Sequence, residues 1–212
     1  RGRDFPRTEF TPEELAWLFS QMQNAGLVEG LFLSSGVSDS PSRVMERMIA
    51  TVELVRSKYE FSGYIHLKIL PGADAGSIER AVELADRASL NLEAPSGKYL
   101  ARIARDKDFQ EGLLAPLKLA KSYADGKGTL PAGMTTQFVV GAAGESDWEI
   151  VSSAARLYRE LGLARVYYSA FQPISRTPLE GHAPTPLVRE HRLYQADWLL
   201  RKYGFGLEEL VF

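Results

Sequence analysis

His66 and Lys68 stand two residues apart in an otherwise apolar run, Tyr64 to Leu70 (YIHLKIL). As a strand, that run puts both side chains on one face and Ile65, Leu67 and Ile69 on the other. A strand lysine could form a Schiff base, because burial depresses a lysine pKa and frees the amine to attack a carbonyl. It could equally pair with Glu93 across a lumen, and we favour that pairing. His66 is most simply a packed, hydrogen-bonded histidine, since a metal role needs partners. The other histidines, His182 and His191, fall far away on a loop and a helix, so a three-histidine zinc site is not expected.

The same polar pattern recurs along the chain. In Ser89 to Glu93 (SLNLE), Leu90 and Leu92 face one way while Asn91 and Glu93 face the other. Gln137 sits among Thr135 and Val139, Ser169 sits between Tyr167 and Phe171, and the run Gly30 to Ser34 ends in Ser34, Ser35 and Gly36. Strands of a parallel sheet covered on both faces are almost wholly apolar. Burying such polar groups without partners costs about 1–3 kcal/mol each. A polar lumen that holds a ligand at the C-terminal ends of the strands explains them; a satisfied hydrogen-bond network in the core is the plainer alternative.

Gly141-Ala142-Ala143-Gly144-Glu145 follows a strand and opens a helix. Small residues there let a backbone approach a ligand closely, and a helix N-terminus favours anions. No Lys-Ser/Thr follows, so it is not a phosphate loop, and a tight turn is the default. Pro173 to Pro186 is a proline-rich loop. Arg1, Arg3 and Arg7, with Phe5 and Phe10 between them, could touch nucleic-acid phosphate or form a solvated tail. Arg189, His191, Arg192, Arg201 and Lys202 put further cations on the last helix, most of them expected to face solvent.

These groups need elements to position them. Thr11-Pro12-Glu13-Glu14 reads as a cap, proline at the first helical position and early acids, so Thr11 to Ala25 is predicted helical. Strands are predicted at Gly30–Ser34, Tyr64–Leu70, Ser89–Glu93, Thr135–Gly141 and Arg165–Phe171. Helices are predicted at Ser42–Lys58, Ser77–Arg87, a split region over Lys98–Gly126, Asp147–Leu161 and Leu187–Tyr203. This alternation implies parallel strands joined by crossovers, in a doubly wound sheet or a barrel. A leading helix with no strand before it, and a start at Arg1, predict that a first strand lies upstream of these residues.

The 212 residues suit one domain, and no composition break divides them. Lys and Arg number 25 against 27 Asp and Glu, so no global field draws the chain to nucleic acid or membrane. The cysteine count is zero, which excludes disulfides, a thiol nucleophile and a cysteine-held iron–sulfur cluster within these residues. No apolar run approaches the ~20 residues that span a bilayer and no signal peptide opens the chain, so a cytoplasmic protein without membrane contact is expected.

Three segments in order resemble the radical S-adenosylmethionine enzymes. Asn91-Leu92-Glu93 resembles the Asn-Leu-Glu/Asp at the end of the fourth strand in biotin and lipoyl synthases. Val139-Val140-Gly141, continuing to Gly144-Glu145, resembles the fifth-strand glycine motif. Pro173 through Thr177-Pro178-Leu179-Glu180 resembles the sixth-strand Pro-Gly-Thr-Pro-Leu stretch. A closer resemblance covers nearly the whole chain, through Arg3-Asp4 with Phe10 to Leu15, Val28 to Gly36, Met45 to Thr51, Tyr64 to Lys68, Gln137 to Ser146 and His191 to Leu200. These segments look like the bacterial radical adenosylmethionine family described as acting in DNA modification or repair.

That resemblance implies an α/β fold, a partial (βα)6 TIM-type barrel with parallel strands whose first strand is missing, spanning 1–212 with the helix 187–203 closing its edge. It implies two cofactors, S-adenosylmethionine and a [4Fe–4S] cluster whose Cys-x3-Cys-x2-Cys ligands lie upstream of Arg1. In the intact enzyme, one electron from the cluster would cleave adenosylmethionine to a 5′-deoxyadenosyl radical that abstracts hydrogen from the substrate; these residues alone would be inactive. Asn91 and Glu93 would hold the ribose, Ser34, Ser35 and Gly36 the methionine end. Val139, Gly141, Phe171 and Gln172 would flank the adenine, and His66 and Lys68 would face cofactor or substrate. DNA or a nucleotide is the implied substrate and a uracil-DNA-glycosylase-like protein the implied partner. Ser34-Ser35-Gly36 stands where the family carries Gly-Gly-Glu, and Ser175-Arg176 where it carries Pro-Gly. A (βα)-barrel lyase or aldolase using Lys68, and a non-catalytic nucleic-acid-binding domain, are the alternative readings.

Overall fold

A computed structural model describes residues 8–36 and 40–210. The first helix, α1 (Pro12–Asn24), starts at the expected cap. Thr11 Oγ1 accepts from the Glu14 amide at 3.2 Å, and Glu14 Oε2 accepts from the Thr11 amide at 2.8 Å. This reciprocal pair satisfies two N–H groups that no helical carbonyl can reach. β1 (Gly30–Leu33) leads to α2 (Pro41–Ser57), capped by Ser40, and β2 (Tyr64–Lys68) leads to α3 (Ala75–Leu84), capped by Asp74.

The third strand departs from expectation. β3 is Arg87–Ser89, so α3 ends earlier than expected and residues 91–93 lie past the strand. Asp86 is one reason. Its carboxylate accepts from the Ile65 amide and from Arg56, both at 2.8 Å, which draws 86–89 into the sheet. Past Ser89 the chain leaves the ladder and pairs again through one isolated parallel bridge, Glu93 with Phe138, where Glu93 has a left-handed φ of 65°.

The split region resolves into α4 (Gly97–Ile103), a π-helical turn at Gln110–Leu114 and α5 (Ala115–Lys127). β4 (Met134–Val140), α6 (Asp147–Leu161), β5 (Arg165–Ala170) and α7 (Leu187–Trp198) complete the alternation, and a π-helical turn continues α7 to Tyr203. The strands form one parallel sheet in the order β1-β2-β3-β4-β5. That sequential order has no reversal point of the kind a doubly wound sheet carries.

The described chain divides into two compact units, residues 8–90 with 115–134 and residues 91–114 with 135–210. In the first unit, α1 packs on α2, α2 on α3 and α3 on α5. Its core includes Met45, Val52, Ile65, Leu67, Val82 and Leu117, all fully buried. In the second, α6 and β5 pack on α7 around Leu92, Phe138, Val140, Ile150 and Val166. Strand burial alternates in both units, with one face closed and the other half exposed.

β5 lies at the end of the strand order, and side chains occupy its outer backbone. Tyr158 Oη accepts from the Val166 amide at 2.8 Å and Glu190 Oε2 from the Ala170 amide at 2.6 Å. Tyr194 Oη accepts from the Tyr168 amide and donates to the Tyr168 carbonyl, each at 3.0 Å. An edge so occupied cannot template another strand. Beneath it, the fully buried Asp197 carboxylate takes Tyr158 Oη, Tyr168 Oη and Arg201. Burial and the Asp197 charge push the Tyr158 phenol well above its ordinary range, so it stays a neutral donor.

Candidate functional site

In the first unit, the half-exposed strand face carries Phe32, His66 and Arg87 in one register row and Lys68 and Ser89 in the next. His66 Nε2 meets Ser89 Oγ at 2.8 Å, and the Phe32 ring lies 4.5 Å from the imidazole, centroid to centroid. Burial first, then Arg87 and Lys68, lowers the His66 pKa to about 4. The imidazole is therefore neutral at pH 7 and a weak base there. Arg87 donates to the Ala132 carbonyl through Nε at 3.1 Å and Nη2 at 2.8 Å.

Glu93 Oε1 takes Lys107 Nζ at 3.3 Å, and Lys68 makes no hydrogen bond or ion pair among the described residues. Ser34, Ser35 and Gly36 lie exposed past the end of β1, where Ser35 Oγ donates to the Gly36 carbonyl at 2.9 Å.

In the second unit, Asn91 and Glu93 dock beside β4. Asn91 Nδ2 donates to Gln137 Oε1 at 3.4 Å, and the Leu92 amide donates to Thr136 Oγ1 at 3.0 Å. The Glu93 amide donates to the Gln137 carbonyl at 2.9 Å, and the Val139 amide to the Glu93 carbonyl at 2.8 Å. Asn91, Glu93, Gln137 and Val139 thus form one half-buried patch, continued on β5 by Tyr167 and Ser169 in register. An accepting carboxylate beside an amide that can both donate and accept suits a sugar diol.

The glycine turn behaves differently from the open cradle read from its small residues. Gly141 has φ +87°, and a Cβ there would run into Thr185 Oγ1. The close approach it permits is therefore to the protein's own Thr185, which donates to the Val140 carbonyl at 2.8 Å. The buried Glu145 carboxylate accepts from the Gly141 amide and, at 3.1 Å, from the Ala143 amide, so two backbone donors are taken internally. Arg189 holds this turn from α7, donating to Asp147 Oδ1 and to the Glu145 carbonyl at 2.7 Å each.

Phe171 and Gln172 reach the same place through Thr185. The Thr185 amide donates to the Phe171 carbonyl at 2.8 Å and Gln172 Nε2 to the Thr185 carbonyl at 3.2 Å. Thr185, Arg87 and Arg189 have roles that the sequence reading missed. A threonine between Pro184 and Pro186 was the one available signal for Thr185. For Arg87 it was the Arg-Ala-Ser alternation, which continues the polar face of β2.

The basic tail at Arg1, Arg3 and Arg7 lies outside the described residues. Most cations of the last helix face solvent as expected, while Arg189 is committed to Asp147 and Arg201 to Asp197. His191, Arg192 and Lys202 are exposed. Among the described residues, no group of three His, Cys, Asp or Glu side chains could hold a metal ion. No helix there is long and apolar enough to cross a membrane. A comparison with protein-family models finds none that matches this chain, and a comparison with curated proteins finds no significant match.

Proposed function

We propose that this chain is the bulk of the core of a radical S-adenosylmethionine enzyme, a (βα)6-type barrel, and that its Asn91–Glu93 patch binds the cofactor's ribose. The observation that carries the reading is the geometry of Glu93. A left-handed backbone at a non-glycine residue costs energy, and such strain concentrates at ligand sites. Here it directs a half-buried carboxylate to sit beside Asn91 past a strand end. Lys107 engages Glu93 Oε1, which leaves Oε2 to accept from a diol. Asn91 is steadied by Gln137, and Val139 offers apolar surface beside them. When bound, adenosylmethionine supplies an activated carbon–sulfur bond; these residues orient it and exclude water.

The residues present do not fit the [4Fe–4S] cluster. With no cysteine and no metal-holding group among the described residues, no electron transfer is assigned to this chain. DNA as the substrate class and a uracil-DNA-glycosylase-like partner are carried by the sequence resemblance alone.

Titration calorimetry with S-adenosylmethionine tests the reading. Saturable binding is expected, weakened about tenfold or more by Asn91→Ala and by Glu93→Gln, as loss of a charge-assisted hydrogen bond predicts. No binding at about 1 mM, a very weak affinity by any standard, would overturn it. Reading the coding sequence before Arg1 tests the radical part, which fails if no Cys-x3-Cys-x2-Cys is encoded within the preceding few dozen codons.

One observation favours a second reading. Lys68 is half buried without a polar partner among the described residues, beside a neutral His66, as a Schiff-base lysine would be. Borohydride trapping of Lys68 with carbonyl substrates would support it, and failure across a carbonyl panel would exclude it.

A further inference from the structure

Three strands of the first unit bring an aromatic pair and two cations to one half-exposed face. Phe32 from β1 and His66 from β2 stand in one register row with Arg87 from β3, and Lys68 and Ser89 stand in the next. We propose that this face binds a small aromatic anion, with the ring on Phe32 and the acidic group on Lys68. The inference rests on β1, β2 and β3 alone and does not depend on adenosylmethionine.

Phe32 supplies the seat for the ring. It touches the imidazole at 4.5 Å between centroids, with the two planes tilted by 41°, yet it remains 61% exposed. That open phenyl surface is what a ligand ring would cover, in offset or edge-to-face geometry. His66 is held in place beside it, because Nε2 meets Ser89 Oγ at 2.8 Å. The platform is set before a ligand arrives, which lowers the cost of binding.

Lys68 supplies the charge. Its ammonium is half buried and has no hydrogen-bond or ion-pair partner among the described residues. By contrast, Arg56 in the same unit holds Asp86, Arg80 holds Glu53, and Lys127 holds Glu79 and Glu83. β1, β2 and β3 contain no Asp or Glu. The charges that act on His66 are those of Arg87 and Lys68, both positive. Arg87 is held by the Ala132 carbonyl, so it adds to the field while Lys68 is left to make the contact. A half-buried ammonium is screened less than one in open water, and its hydrogen bond to an anion is of the stronger, charge-assisted kind.

The spacing selects the ligand. Lys68 follows His66 by two residues, about 6.6 Å along the strand. The acidic group therefore sits a few bonds from the ring, as in an arylalkanoate or an aryl phosphate. An aliphatic acid leaves Phe32 uncovered, and a neutral arene leaves Lys68 unpaired.

NMR of the whole chain titrated with phenylpropanoate and phenyl phosphate tests the proposal, with acetate, inorganic phosphate and phenylpropanol as further probes. The chain has three histidines, so the His66 ring signals report the site while His182 and His191 serve as controls. At least one aromatic anion should move the His66 signals saturably, with Kd at or below about 5 mM for a ligand of this size. The signals of His191, exposed on α7, should stay in place. The bound anion should also raise the His66 midpoint, since a neighbouring negative charge favours the imidazolium. Lys68→Met and Phe32→Ala should each weaken binding about fivefold or more, and Lys68→Arg should restore it to within about threefold of the parent. An imine-forming lysine is not replaced by arginine, so this rescue separates the anion site from the Schiff-base reading. Tighter binding of phenyl phosphate than of phenylpropanoate would identify the acidic group as a phosphate, and the reverse as a carboxylate. A still His66 at roughly ten times that concentration, equal movement of His191, acetate, inorganic phosphate or phenylpropanol binding as tightly as the aromatic anions, or indifference to Lys68→Met would each overturn it. Adenosylmethionine, assigned to the Asn91–Glu93 patch, should bind the Phe32→Ala variant as it binds the parent, so the two sites fail separately.

Discussion

His66 and Gly141 show how single residues carry the chemistry. The folded His66 resists protonation down to about 4, against 6.5 for a free imidazole. Between those values the unfolded chain binds the proton first, so His66 withdraws stability as pH falls from 6.5 toward about 4 and adds no further loss below. An NMR titration of the imidazole should place its midpoint near the lower value; a midpoint at 6.5 would show the ring to be open to water. At Gly141 an alanine meets both a left-handed φ and Thr185. Gly141→Ala should cost about 2–4 kcal/mol, the sum of strain and overpacking. Adding Thr185→Ala should recover part of that in urea denaturation, since it removes the clash and leaves the φ. His66 as a half-buried, hydrogen-bonded histidine was legible from period-two alternation. Its partners Ser89 and Arg87 were not, because they depend on which strand lies beside it.

Caps and edges decide matters among the elements. The capping boxes of α1 and α6 could be anticipated from local spacing, because each uses atoms three residues apart. Ser146→Ala should cost about 1 kcal/mol, read as a lowered denaturation midpoint with unchanged slope. The outer edge of β5 could not be anticipated, since Tyr158, Tyr194 and Glu190 reach it from two helices distant in sequence. Tyr194→Phe removes both hydrogen bonds to Tyr168 and should cost about 1–3 kcal/mol. Amide exchange at Tyr168 should quicken in that variant; exchange as slow as in the parent would mean that something else covers the edge. The third strand shows the limit of alternation as a guide. Leu90 and Leu92 are buried and Asn91 and Glu93 half exposed, as a strand over 89–93 would have them. That segment nonetheless leaves the ladder after Ser89 and touches it again at a single bridge between Glu93 and Phe138.

For the whole molecule, the reading as an adenosylmethionine binder makes a thermal prediction. A ligand at about one hundred times its Kd stabilises a folded chain by about 2.7 kcal/mol. For a chain of this size that raises Tm by roughly 5–10 °C. No shift at saturating adenosylmethionine would argue that the Asn91–Glu93 patch is structural only. The sequence by itself determined the alternation of strands and helices, the polar face along the strands and the absence of any cysteine ligand, because each is written in local periodicity or in composition. Tertiary structure alone decided the sequential strand order, the pairing of Glu93 with Lys107, and the filling of the glycine turn by Glu145 and Thr185. Those outcomes depend on which side chains the fold brings within hydrogen-bond reach, and only packing sets that.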